Sequence, residues 1–154
     1  MTLTDQPISN LESHVGYWLR FVSNHVSHAF RLKMESHGVT VAEWVVMRAL
    51  FDSDGVNPSQ LAESIGLTRG AVSKLVERLS AKGFVACRSE KLDRRYQIVK
   101  LAASGRRLVP ILATLADQND QEFFGHLDAQ ERVGLIAALK AIVDRHKLKG
   151  IPVQ

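Results

Sequence analysis

Cysteine is almost missing from this 154-residue chain, where Cys87 stands alone. A single thiol excludes a disulfide framework and a Cys-x-x-Cys metal pair, and it suits a reducing, cytoplasmic setting. No apolar run approaches the ~20 residues that cross a bilayer, so no membrane partner is expected. The opening MTLTDQPISN is polar and lacks the charged, apolar and small-residue layout of an export signal. Internal repeats and low-complexity tracts are absent. No phosphate-binding glycine loop, no metal-ligand cluster and no nucleophile with a base and an orienting group recurs at a useful spacing. The chain therefore does not read as an enzyme, and it implies no cofactor and no metal.

What is present is an uneven charge. Thr68 to Arg107 holds eleven lysines and arginines against three acids, a local +8, while the whole chain is only +4. One basic segment on an otherwise acidic chain is the footprint of a nucleic-acid surface, although a solvated charged face has the same arithmetic. The length suits one compact domain, or one domain with an oligomerisation arm.

Leu11 to Glu35 is apolar at steps of three and four, which predicts one long helix with a single apolar stripe. Ser9 or Asn10 can cap it, and Gly38 follows its end. Thr40 with Glu43 predicts a capping box for a second helix, Val41 to Phe51. Pro58 opens a short third helix to Ile65, at a tolerated first-turn position. Thr68 caps a fourth to Lys82, and Gly83 stops it. Phe84 to Ser89 and Tyr96 to Leu101 alternate as two strands. Ser104 is the expected cap of a fifth helix to about Phe124, with Pro110 expected to kink it or loosen one turn. Asp128 caps a last helix to about Lys147.

Gln60 to Val76 contains the densest motif. Two helices joined by a three-residue turn cross closely, so the first needs a small residue, here Ala62. The turn needs a left-handed backbone, here at Gly66. Val72 and Leu75 face back to the core with Leu61 and Ile65. This is a helix-turn-helix pattern, although a purely structural helical hairpin can show the same small residues. On the other side of the fourth helix stand Thr68, Arg69, Gly70, Ala71, Ser73, Lys74 and Arg78. Its slim N-terminal end and cations suit a major groove ~12 Å wide.

Glu90 to Leu101 (EKLDRRYQIVKL) then places Asp-Arg-Arg at a hairpin tip. A basic hairpin directly after such a helix reads as a wing, with Arg88, Lys91, Arg94 and Arg95 facing DNA and arginine entering the minor groove. Asp93, two residues from Arg95, can hold that guanidinium in one orientation. The alternative is a flexible charged loop in which Asp93 only tempers repulsion.

Thr40 to Leu50 (TVAEWVVMRAL), Gln60 to Thr68, Ala71 to Gly83, Phe84-Val85 and Asp93 to Gly105 (DRRYQIVKLAASG) closely resemble the MarR family of bacterial transcriptional regulators. The likeness spans roughly residues 11 to 147. Leu101-Ala102 stands where the family often has Leu-Thr. The resemblance implies a mostly α fold with a small β-hairpin wing: a winged helix-turn-helix over 37–103, and a helical dimerisation region over 1–36 and 104–154. It implies a homodimer bound to double-stranded DNA at a pseudopalindromic operator, with half-sites ~34 Å apart. Arg95 would be the minor-groove arginine, Asp93 its partner, and Ser73 and Lys74 part of the reading surface.

The family also implies release of DNA by a small aromatic or phenolic anion, and with it a repressor relieved by ligand. Candidate pocket residues are His14, Trp18, Phe21 and His25 on one side of the first helix, with Trp44, Met47 and Arg48 on the second. The same residues also fit a core and a dimer seam. His25 and His28 leave a metal-responsive alternative, although no third ligand is evident. A winged helix used only for protein–protein contact is the other alternative. Cys87, in the first wing strand, is expected to be a small, part-buried apolar residue.

Overall fold

The computed structural model describes residues 7–89 and 97–150. Six α-helices and one hairpin follow in order: α1 Val15–Glu35, α2 Val41–Phe51, α3 Pro58–Ile65, α4 Arg69–Ala81, β1 Val85–Ser89, β2 Gln97–Leu101, α5 Ala103–Phe124 and α6 Ala129–His146. No helix among the described residues is long and apolar enough to cross a membrane.

The predicted first helix is divided. Asn10 accepts from the Glu12 amide and caps a single 3-10 turn, Leu11–Ser13. His14 is extended, and α1 starts only at Val15. The Trp18 indole donates back to the Glu12 carbonyl at 2.8 Å, folding the turn onto the helix. A periodic apolar pattern cannot reveal that break, because the 3-10 turn keeps the stripe in phase for one turn only.

Reciprocal capping boxes set the starts of α2, α3 and α6. Thr40 and Glu43 form the reciprocal capping box of α2, with both bonds at 3.1 Å. Asn57 and Gln60 do the same for α3, with Pro58 in its first turn. Asp128 and Glu131 repeat it on α6.

Helix α5 departs from expectation. Ala102 occupies its cap position and offers no side chain. Ser104 instead donates to the Gly83 carbonyl at 2.6 Å, tying the start of α5 to the end of α4. A tertiary acceptor has outcompeted the local cap. Gly105 lies so close to the Phe84 carbonyl that a side chain there has no room. Pro110 sits inside α5, and the helix continues unbroken through it to Phe124.

The hairpin is antiparallel, with Val85 opposite Leu101, Cys87 opposite Val99 and Ser89 opposite Gln97. A third edge is added by Val56, which exchanges both backbone bonds with Val99 at 2.9 and 2.8 Å. A one-residue bridge has no alternation to read, so the sequence does not announce it.

The core is sealed by Met34, Val46, Met47, Leu50, Val72, Leu79, Val99 and Leu112, all fully buried. It joins the end of α1 to α2, α3, α4, the hairpin and the first half of α5. The N-terminal part of α1 and all of α6 lie outside it. No residue of α6 is buried.

One charge is enclosed in this core. Glu43 is only 1% exposed. Its two oxygens accept from the Lys82 ammonium at 2.9 and 2.8 Å, and that ammonium also donates to the Gly38 carbonyl at 2.8 Å. Burial pushes the Glu43 pKa up. The hydrogen bonds from Lys82 and Thr40 together outweigh it and hold the carboxyl below the usual range. A lowered folded-state pKa means stability that is present above the ordinary carboxylate value and lost as pH falls through the folded value. Thermal melts are therefore expected to drop as pH falls below that range. Glu43→Gln should be less stable than the wild type near neutrality and show a shallower acid decline; parallel pH curves would refute this role.

Candidate DNA-binding face

Helix α3 ends at Gly66, whose backbone is left-handed at φ 70°, and the Leu67 amide closes on the Ala62 carbonyl at 3.1 Å. This conformation costs glycine little and other residues more. Thr68 follows, and its hydroxyl accepts from the Ala71 amide at 3.1 Å, starting α4. Glycine and threonine two residues apart therefore set both the direction and the first residue of α4.

Val72, Leu75, Val76 and Leu79 bury the back of α4. Arg69, Gly70, Ser73, Lys74, Glu77 and Arg78 consequently stand exposed on its front, with Ala71 half-buried between them. Nothing approaches within 4 Å of where a Gly70 side chain would begin, so the N-terminal end is slim and open. Among the described residues, none of Arg69, Lys74, Arg78 and Arg88 forms a salt bridge. The first amides of α4 add the partial positive charge of a helix N-terminus.

The hairpin lies beside this front. Ser73, Val76, Glu77 and Ser80 of α4 face Cys87 and Gln97 of the two strands, with Pro58 closing one end, across a cleft of about 270 Å³. Arg88 is exposed on β1. Lys91, Asp93, Arg94 and Arg95 lie outside the described residues, and the expected Asp93–Arg95 pairing with them. Cys87 departs from expectation: it is exposed, with its sulfur 3.9 Å from the Ser80 hydroxyl. Beyond Val85 the strand leaves the core, so its period-two pattern no longer reports burial. Glu77 and Gln97 were not singled out from sequence. The available signal was Glu77, one turn after Ser73 on the same helical face.

The seven pocket candidates do not converge on one cavity. His14 is at the break before α1. Phe21 and His25 stack on each other at 5.0 Å and are exposed. Met47 is fully buried, Trp44 packs on the core, and Arg48 pairs with Asp52 at 2.8 Å. Of the seven, only Trp18 lines the groove of about 600 Å³ between α1, α5 and α6. The reason is reach: α1 joins the core through Phe30 and Met34 near its end, and its first half extends past α2. No group of three or more His, Cys, Asp or Glu among the described residues is placed to hold a metal, the first-helix histidines included.

Comparison with known proteins addresses the same region. Residues 37–95, from the start of α2 into the wing, match the MarR family. The transcriptional regulator HosA of Escherichia coli O157:H7 is 29% identical over 105 residues, covering 68% of this chain and 78% of HosA. The chain is therefore similar to MarR-family proteins. Its fold is the winged helix-turn-helix, and the likeness supports a DNA-binding transcriptional regulator. A second relative, the HTH-type transcriptional repressor NicR of Pseudomonas putida, is 26% identical, with 97% of each chain covered. The structure of BpsR from Bordetella bronchiseptica, whose DNA binding is regulated by 6-hydroxynicotinic acid, superposes with a TM-score of 0.77 at 27% identity. It covers 89% of this chain and 99% of BpsR.

Loss of the α4 cap gives a direct check on the turn. Thr68→Ala should destabilise the fold by about 1 kcal/mol, while Thr68→Ser recovers most of it. Urea denaturation measures both; equal stability of all three would remove Thr68 from this role.

Proposed function

We propose that the chain acts as a homodimeric repressor that grips a pseudopalindromic DNA duplex, and that a small aromatic acid relieves it. The observation that carries the DNA contact is the seating of α4: its apolar stripe is in the core, and its cationic front is open beside the wing. In this reading α4 enters the major groove as the recognition helix. Arg69 and Lys74 contact phosphate or guanine, Ser73 and Arg78 extend the surface, and Thr68 to Ala71 hold the helix end close to the backbone. Arg88 and the wing tip with Lys91, Asp93, Arg94 and Arg95 take the adjacent minor groove, Arg95 inserting and Asp93 orienting it.

Support for the dimer comes from apolar surface the single chain does not use. Val133, Leu135, Ile136, Leu139, Ile142 and Val143 of α6 remain 39–67% exposed. They continue into the 600 Å³ groove formed with Val15, Trp18, Leu19 and Val22 of α1 and Phe123 and Phe124 of α5. So large a patch fits a second copy of the same arm. On this reading 37–103 is the DNA-binding unit, and 1–36 with 104–154 is the dimerisation region. Repression is supported by the likeness to NicR, and an aromatic-acid effector by that to BpsR. The half-buried Tyr17 and the exposed Phe21 and His25, whose rings pack at a tilt, offer such an acid an aromatic face. No observation favours the metal-responsive alternative.

Light scattering on the eluted protein should give twice the chain mass, and Leu139→Asp should shift it to monomer. A wild-type monomer would overturn the dimer. Duplexes enriched by the protein from random DNA should be near-palindromic, and failure to enrich any would overturn the DNA reading. On the best of them, Arg69→Ala and Lys74→Ala should each cost about 1–3 kcal/mol for a base contact, or lower the salt dependence by about one ion for a phosphate contact. Unchanged binding by both would remove α4 from the interface. Adding 6-hydroxynicotinic acid or a related aromatic acid should release the duplex.

A further inference from the structure

Lys82 is the residue that ends α4, its amide closing on the Arg78 and Ser80 carbonyls. Its side chain leaves that helix and meets two other elements. The three ammonium protons are matched by three acceptors: both oxygens of Glu43 in the first turn of α2, and the carbonyl of Gly38 in the loop joining α1 to α2. One side chain thus ties the end of α4 to the point where the arm-bearing α1 enters the winged-helix lobe.

We propose that the Lys82–Glu43–Gly38 contact is a positioning clamp, which fixes the angle of the recognition helix against α1 and thereby the separation of the two recognition helices in the dimer. This rests on the reading of the chain as a dimeric duplex binder.

Two physical arguments favour positioning over simple stabilisation. The pair is a poor source of stability: the Glu43 side chain, 1% exposed, loses its solvation, while the Lys82 side chain is 37% exposed and its attraction is screened by water. It does supply direction. The apolar stripe decides which side of α4 meets the core, but apolar attraction is non-directional and fixes the tilt of the helix along that side only loosely, whereas charge-assisted hydrogen bonds hold donor and acceptors in one geometry. The lever is long enough to matter. Thirteen residues of α4 span about 20 Å, so a tilt of roughly 10° at the clamped end moves the other end by about 3 Å, close to the rise of one base pair. That shift would change which base step each helix meets.

The test uses the full-length protein and its own enriched duplex, resynthesised with the half-site spacing changed by one base pair in either direction. Lys82→Met alone leaves Glu43 buried and unpaired, and it can fail to fold. The informative variant is Lys82→Met combined with Glu43→Gln, which removes both charges and keeps the capping box at Thr40. The wild type should prefer its own spacing by about tenfold, as for a lost base contact. The double variant should melt near the wild-type temperature and bind non-specific duplex equally well. Its spacing preference should shrink to about threefold or less, with weaker binding at the optimum. A folded double variant with the wild-type spacing preference overturns the clamp while leaving the DNA reading intact. A wild-type protein that enriches no duplex overturns the DNA reading itself.

Discussion

The orientation of α4 depends on four apolar side chains. Val72, Leu75, Val76 and Leu79 recur along one stripe of a 13-residue helix, and the core can accept only that stripe. Burying it removes about 2 kcal/mol of exposed apolar surface per side chain, which is far more than any single surface ion pair supplies. The cationic front is exposed because its opposite side is not. Gly66 aims the helix, Thr68 starts it, and Lys82 anchors its end to Glu43 and Gly38. The hairpin then departs alongside, because Phe84 follows immediately and its carbonyl is capped by the Ala102 amide.

Two regions with different physical character result. The lobe from α2 to the first half of α5 buries its apolar residues and satisfies its polar ones. Among the described residues no buried side-chain nitrogen or oxygen lacks a partner. The arm is the reverse. α6 buries nothing, and the first half of α1 carries exposed Trp18, Leu19, Phe21 and Val22. Polar links still hold the helices of the arm to one another. Lys33 bridges Asn119 and Glu122 at 3.0 Å, and Asn119 donates to the Val26 carbonyl. Arg132 pairs with Asp120 at the base of α6. These links orient α1, α5 and α6 while leaving their apolar sides uncovered.

Much of this was legible in the amino-acid order. The capping box at Thr40, the cap at Asp128, the first-turn Pro58, the turn at Gly66, the cap at Thr68 and both wing strands rest on local chemistry that a few neighbouring residues complete. The departures have a common cause. Ser104 abandoned a local cap for the Gly83 carbonyl, Val56 found a partner 43 residues away in Val99, and Cys87 lost its burial where the strand outran the core. Each depends on what stands opposite in space. The pocket candidates lie apart within the chain for the same reason: helical spacing puts Trp18 and Phe21 near one another, but it does not say how far α1 projects beyond α2.

The order of residues alone determined where helices start and stop, which side of α4 is apolar, and that the basic charge gathers between Thr68 and Arg107, because these follow from backbone geometry and periodicity over a few residues. Only the tertiary structure decided that Lys82 reaches Glu43, that β1 lies against α4 across a narrow cleft, and that no residue of α6 is buried within its own chain. Those outcomes turn on distances between segments far apart in the chain, and packing, not local preference, sets them.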